Sequence, residues 1–257
     1  MNERELWNAY STMLLRTVKR FTRIPMQTVL PSVIISTLYL LVFGTFLGSQ
    51  VGSIHGFTYI QYILPGLIMM AVIINAVQET ISQVFFGKFQ KNIEEILVSP
   101  MPSSIIVAGF VSAGVVRGFI NGTLVLLVGL LFTHIQVHSY GILFLSFLST
   151  ALLFSLLGVL NGMIVKGFDG IAILPTFILT PLTYLGGVFY SVAMLPPFWR
   201  FLSYGNPILY MINTFRYGFL GISDVSLITS FAIIFGFIFV LGATVVYLFK
   251  AGYGIKS

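Results

Sequence analysis

The sequence predicts an all-α integral membrane protein, and three observations carry that prediction. Apolar runs of about 20 residues, each long enough to cross roughly 30 Å of hydrocarbon, recur along the whole chain. Charged residues are only 8% of the 257 and hydrophobic ones 57%, with a mean hydropathy of +1.01; a soluble domain carries roughly 25% and 45 to 50%. The basic residues behind the net charge of +6 lie beside the apolar runs, where a membrane protein keeps its cytosolic anchors, which argues against nucleic acid as their partner.

The first 26 residues come before any span. Trp7, Tyr10, Leu14, Val18 and Phe21 recur at helical spacing while Arg16, Lys19, Arg20 and Arg23 share the opposite face, which predicts an amphipathic helix lying in the membrane interface. A signal peptide would need a longer uninterrupted apolar centre and a small-residue cleavage site. Six spans follow, approximately Gln27–Gly48, Thr58–Val84, Ser104–Thr133, Tyr140–Val165, Ile171–Phe189 and Ile228–Phe249. Their loops alternate in charge: Arg4, Arg16, Lys19, Arg20, Arg23, Lys88, Lys91, Lys166, Lys250 and Lys256 fall on one side, and only Arg200 and Arg216 on the other. By the positive-inside rule both termini are cytoplasmic.

Residues 190–221, YSVAMLPPFWRFLSYGNPILYMINTFRYGFLG, are apolar enough to resemble a seventh span, but three prolines and two arginines oppose it. A seventh crossing would also put the basic tail outside. The segment reads as two short re-entrant helices broken near Gly205-Asn206-Pro207. With no internal repeat or linker, residues 1–257 read as one transmembrane domain.

Catalytic motifs are missing. There is no GxxxxGK[ST] phosphate loop, GxSxG elbow or HExxH pair, so the chain has no ATPase motif of its own and reads as a non-enzyme without catalytic residues or bound cofactor. With no cysteine, disulfides, thiol catalysis and Cys-based metal sites are excluded. His134 and His138 are four apart, but no carboxylate accompanies them, and they read as polar residues at the water interface. No metal site is expected.

Glu79 and Arg117 are the charges placed inside spans, where each costs about 2.5 to 3.5 kcal/mol at the bilayer centre, so each must face protein or water. Glu79 should lie about 13 Å and Arg117 about 20 Å from the same membrane face at 1.5 Å per residue, close enough to pair through the long arginine. A pair could fix helix register or line a transport path. Gly44/Gly48, Gly114/Gly118/Gly122 and Gly158/Gly162 form small-residue ladders suited to close packing, within the chain or against a second copy.

Between the second and third spans lies FGKFQKNIEEILVSPMP, residues 86–102. As a helix it sets Phe89, Ile93, Ile96 and Leu97 on one apolar stripe with Lys91, Glu94 and Glu95 toward water, and Pro100 and Pro102 stop it. It reads as an ordinary interfacial loop helix or as a docking knob for a cytoplasmic partner.

Taken with LPPFW and NPILY before the last span, KNIEEILVSPMP in this setting resembles the membrane subunits of ABC type 2 exporters, especially the small bacterial permeases for drugs, lipids and lipooligosaccharides. The resemblance covers nearly the whole chain. It implies a homodimer in the bacterial inner membrane, in contact with lipid and docked on two copies of a separate ATPase that holds the ATP and Mg. Phe89, Lys91, Glu94, Glu95 and Ile96 would form the coupling helix that receives the ATPase, with the amino-terminal helix as a second contact. Pro197, Trp199, Asn206, Pro207 and Tyr210 would form the external gate. The short Ser49–Phe57 loop departs from subfamilies with a large external domain. The rival reading is a passive channel or secondary carrier, and a third is a scaffold without transport.

Overall fold

The structure, a computed structural model, describes residues 2–93, 96 and 100–254, with Phe21 by its backbone only. Among the described residues it is all-α apart from one short hairpin. The helices are α1 (Glu3–Thr22), α2 (Pro25–Val51), α3 (Tyr59–Phe89), α4 (Ser103–Phe132), α5 (Tyr140–Ile164), α6 (Phe168–Leu185), α7 (Pro197–Tyr204), α8 (Pro207–Leu220) and α9 (Leu227–Ala251). Six of them, α2 to α6 and α9, are long and apolar enough to cross a membrane. They match the six expected segments with ends displaced by a few residues.

Helix α3 is the centre of the bundle: its face from Tyr62 to Val84 is almost wholly buried, and α4 and α5 pack along its length. Glycines permit this closeness. A Cβ on Gly158 would collide with the Thr80 hydroxyl and lie 2.7 Å from the Val77 carbonyl, one on Gly162 would lie 2.8 Å from Val84, and one on Gly122 would lie 2.7 Å from Val72. The α4 and α5 ladders therefore serve packing inside the chain, as does Gly44, whose Cβ would meet Ile60 at 2.8 Å.

Helix α2 is interrupted by a π-helical stretch, Leu40–Leu47, and α6 by another, Leu174–Leu179. Beyond Val51 the chain makes a two-residue hairpin, Ser53–Ile54 against Phe57–Thr58, turned by His55 (φ 51°) and Gly56 (φ 84°). Two successive positive φ angles suit a strand-joining turn. At the other end of α3, Lys88 Nζ donates to the Gly162, Met163 and Val165 carbonyls at 2.7 to 3.0 Å. It thereby satisfies the orphan carbonyls at the α5 C-terminus.

Two expectations need correction. The inward stripe of α1 is Tyr10, Met13, Thr17 and Arg20, with Trp7 67% exposed. Met13 fills the space over Gly109 on α4, and the Tyr10 hydroxyl is 2.7 Å from that of Ser112. The helix is thus docked on the bundle by a stripe rotated from the one its hydrophobicity marks, because α4 offers it a glycine and polar partners. Secondly, Phe89 does not share a stripe with Ile93. It ends α3, the chain turns at Lys91 (φ 58°), and Phe89 is 63% exposed whereas Ile93 is 1% exposed.

Candidate functional site

Three helices meet at one carboxylate, and a fourth meets its arginine. Glu79, in the buried half of α3, accepts from Arg117 NH1 at 2.7 Å through Oε2, and from Gln83 Nε2 at 2.7 Å and Arg20 NH2 at 3.2 Å through Oε1. Arg117 comes from α4, Arg20 from α1, and Arg117 NH2 also donates to the Thr28 carbonyl of α2 at 3.4 Å. The side chains of Glu79 and Arg117 are 2% and 10% exposed, that of Arg20 44%. The carboxylate is therefore fully hydrogen-bonded away from water, as a buried charge must be. A little further along α3, Asn75 Nδ2 donates to Ser32 Oγ of α2 at 2.7 Å, continuing the polar seam.

At the opposite end of α3 a second buried cation closes the bundle. Arg216 of α8 lies with its guanidinium carbon 4.0 Å from the centre of the Tyr62 ring, donates to the Gly187 carbonyl at 2.6 Å and stands 3.9 Å from Asp224. Burial pulls its pKa below the ordinary guanidinium value, while the ring face and Asp224 favour the charged form. Asp224 in turn accepts from Ser191 Oγ at 2.8 Å and from the Val192 amide at 3.3 Å. The loop after α6 is thus tied to α8 and to the loop that joins α8 to α9.

The residues expected to form a gate occupy α7 and α8. Pro197 and Pro207 begin these helices, where a missing amide proton costs nothing. Asn206 caps α8, accepting from the Ile208 amide at 3.0 Å and donating to the Leu182 carbonyl of α6 at 2.6 Å. Tyr210 donates to the Tyr204 carbonyl at 2.6 Å, and Trp199 is 46% exposed. With 8 and 14 residues, α7 and α8 reach about 12 and 21 Å, short of a crossing. His138 packs edge-on against Tyr217 with centroids 5.2 Å apart, and the His134 carbonyl accepts from Gln61.

In the segment after α3, Lys91 is exposed, Ile93 joins an apolar cluster with Met13 and Phe110, and Ile96 is half-buried against it. Glu94, Glu95 and Leu97 lie outside the described residues.

Hydropathy singles out Glu79 and Arg117 but not the third member, Arg20, which it assigns to the water face of α1. The signal was a helical spacing, Tyr10-Met13-Thr17-Arg20, that ends on a cation. Arg216 counts toward loop charge in the sequence, yet is 3% exposed.

Six helices long and apolar enough to cross a membrane, packed about the buried α3 with Glu79 and Arg117 paired inside, define a multi-pass membrane protein. The chain belongs to the ABC-2 type transporter family, whose model matches residues 8–220. It is 51% identical over 251 residues to the inner membrane transport permease YadH of Escherichia coli strain K12, covering 98% of each chain. It is 26% identical to nodulation protein J of Sinorhizobium fredii over 183 residues, 71% of this chain and 69% of that one, and 26% identical to nodulation protein J of Rhizobium leguminosarum over 188 residues, 72% and 71%. Membership in this family makes it a partner of an ABC ATPase.

Proposed function

We propose that the chain is the permease of an ATP-driven exporter in a bacterial inner membrane. Two copies form the path for a lipid, drug or glycan-type substrate, and two copies of a separate ATPase, which holds the ATP and Mg, dock beneath them. The observation that carries this reading is the Glu79 cluster. It locks an interfacial helix and the spans into one unit, so a force applied at α1 or at the segment after α3 reaches the bundle centre. The end of α3 that bears Lys88 is the cytoplasmic one, by its share of the basic residues. On that side Phe89, Lys91, Glu94, Glu95 and Ile96 receive the ATPase, with α1 as the second contact. At the outer side α7 and α8, with Pro197, Trp199, Asn206, Pro207 and Tyr210, close the path.

The dimer seam is formed by α2 and α6. They adjoin through the 2.6 Å hydrogen bond between Tyr39 and Tyr184, and Ile34, Leu38, Phe177 and Ile178 stay exposed on them. Co-purification tests the docking reading. Exchanging both Glu94 and Glu95 for Lys weakens retention of the ATPase while the permease still inserts and folds, because charge steering at the contact reverses. Unchanged retention and unchanged vanadate-sensitive coupling would favour a passive channel or carrier instead.

A further inference from the structure

Beside the Glu79 cluster, between α1 and the inner end of α3, lies a cavity of about 390 Å³. Arg16, Lys19, Arg20 and Arg23 line one side, Phe86 and Phe110 the other, and Gln83 forms part of the wall. Among the described lining residues there is no carboxylate. Arg20 is engaged by Glu79, whereas Arg16, Lys19 and Arg23 are exposed and enter no ion pair among the described residues.

Gln83 is 4% exposed. Its amide nitrogen is committed to the Glu79 carboxylate, which fixes the orientation of the amide, and Oε1 has no donor among the described residues. A buried acceptor without a donor is destabilising, and a hydroxyl that reaches it would remove that cost.

Three cations without an ion pair among the described residues, a buried acceptor and an aromatic wall match one kind of molecule: an amphiphile with a phosphate, a hydroxyl beyond it and an apolar stem. We propose that this cavity holds the headgroup of an anionic phospholipid of the phosphatidylglycerol type. The phosphate lies on Arg16, Lys19 and Arg23, a headgroup hydroxyl donates to Gln83, and the stem leaves along Phe86 and Phe110. The exposed Trp7 and Leu15 on α1 place the helix at lipid headgroup level. This rests on the proposed sidedness but not on ATPase docking, since it concerns the permease alone. The bound lipid would brace α1 against α3 next to the carboxylate that joins them.

The test uses the full-length permease in phosphatidylcholine nanodiscs containing a minority of nitroxide-labelled phosphatidylglycerol, read as the immobilised fraction of the label. Wild type immobilises it in preference to labelled phosphatidylcholine. Arg16→Gln, Lys19→Gln and Arg23→Gln each lower that preference by about fivefold, the size of one cation–lipid contact of about 1 kcal/mol. The control pair Lys166→Gln and Lys250→Gln leaves it in place. Gln83→Leu weakens retention of phosphatidylglycerol but not of phosphatidylmethanol, which has no headgroup hydroxyl.

Equal immobilisation of the two labelled lipids by wild type, which needs no variant, would overturn the proposal. So would a loss as large in the control pair as in the α1 variants. Full displacement of the labelled lipid by millimolar inorganic phosphate would make the cavity a site for soluble anions and overturn it as well.

Discussion

Glu79 has more partners than a register-setting ion pair needs. Arg117 is fixed by burial and by the Thr28 carbonyl, while Arg20 is half in water, so the two arginines differ in energetic weight. Glu79→Gln leaves a buried guanidinium without its counter-charge and should cost about 3 to 5 kcal/mol. Arg20→Gln removes a partly solvated contact and should cost about 0 to 1 kcal/mol. Thermal unfolding in detergent measures both, and adding Arg117→Leu to Glu79→Gln should recover part of the loss. If the double variant is no milder than the worse single one, Glu79 and Arg117 are not energetically coupled. Glu79 and Arg117 are conspicuous in the sequence because hydrocarbon penalises stray charge. Arg20 and Arg216 are not, since each sits in a segment where a basic residue is ordinary, and only the fold shows what they face.

The six spans were readable because each element's length and hydropathy are set by the membrane itself. The π-helical turns of α2 and α6 were not, because neither length nor hydropathy distinguishes a π-turn from an α-turn. The same holds for the rotation of α1, whose docked face is chosen by Gly109 and Ser112. Close helix approach gives a second prediction. Gly158→Ala places a methyl group against Thr80 and the Val77 carbonyl and should cost about 1 to 3 kcal/mol, whereas Gly236→Ala, with nothing within 4 Å in the chain, should stay within about 0.5 kcal/mol. Comparing their melting temperatures checks whether α5 is held as tightly on α3 as the distances require. At the proposed outer end, Asn206→Ala removes the α8 cap and its bond to Leu182. It should lower stability by about 1 kcal/mol and raise amide hydrogen exchange in residues 208–210 before the rest of the bundle.

For the whole molecule, the proposed seam of α2 and α6 makes Phe177 a contact between copies. Phe177→Cys should therefore cross-link two permeases under mild oxidation, where Phe239→Cys on the equally exposed α9 should not. Because the natural chain has no cysteine, such bonds report on single positions. The proposed coupling route from ATPase to outer helices also requires α1 to move together with α4 and α3 as one body. Met13 and Gly109 allow a direct trial, since the Met13 Cβ lies 3.4 Å from where a Cβ on Gly109 would stand, close to the spacing of a disulfide. The deciding measurement is hydrogen exchange of residues 197–220 in the permease–ATPase complex carrying Met13→Cys and Gly109→Cys, with and without ATP. If α1 and α4 move as one, the ATP-dependent change in exchange persists when the disulfide is closed. A change that vanishes on oxidation and returns on reduction would show that α1 must leave the bundle, and would contradict coupling through the Glu79 cluster.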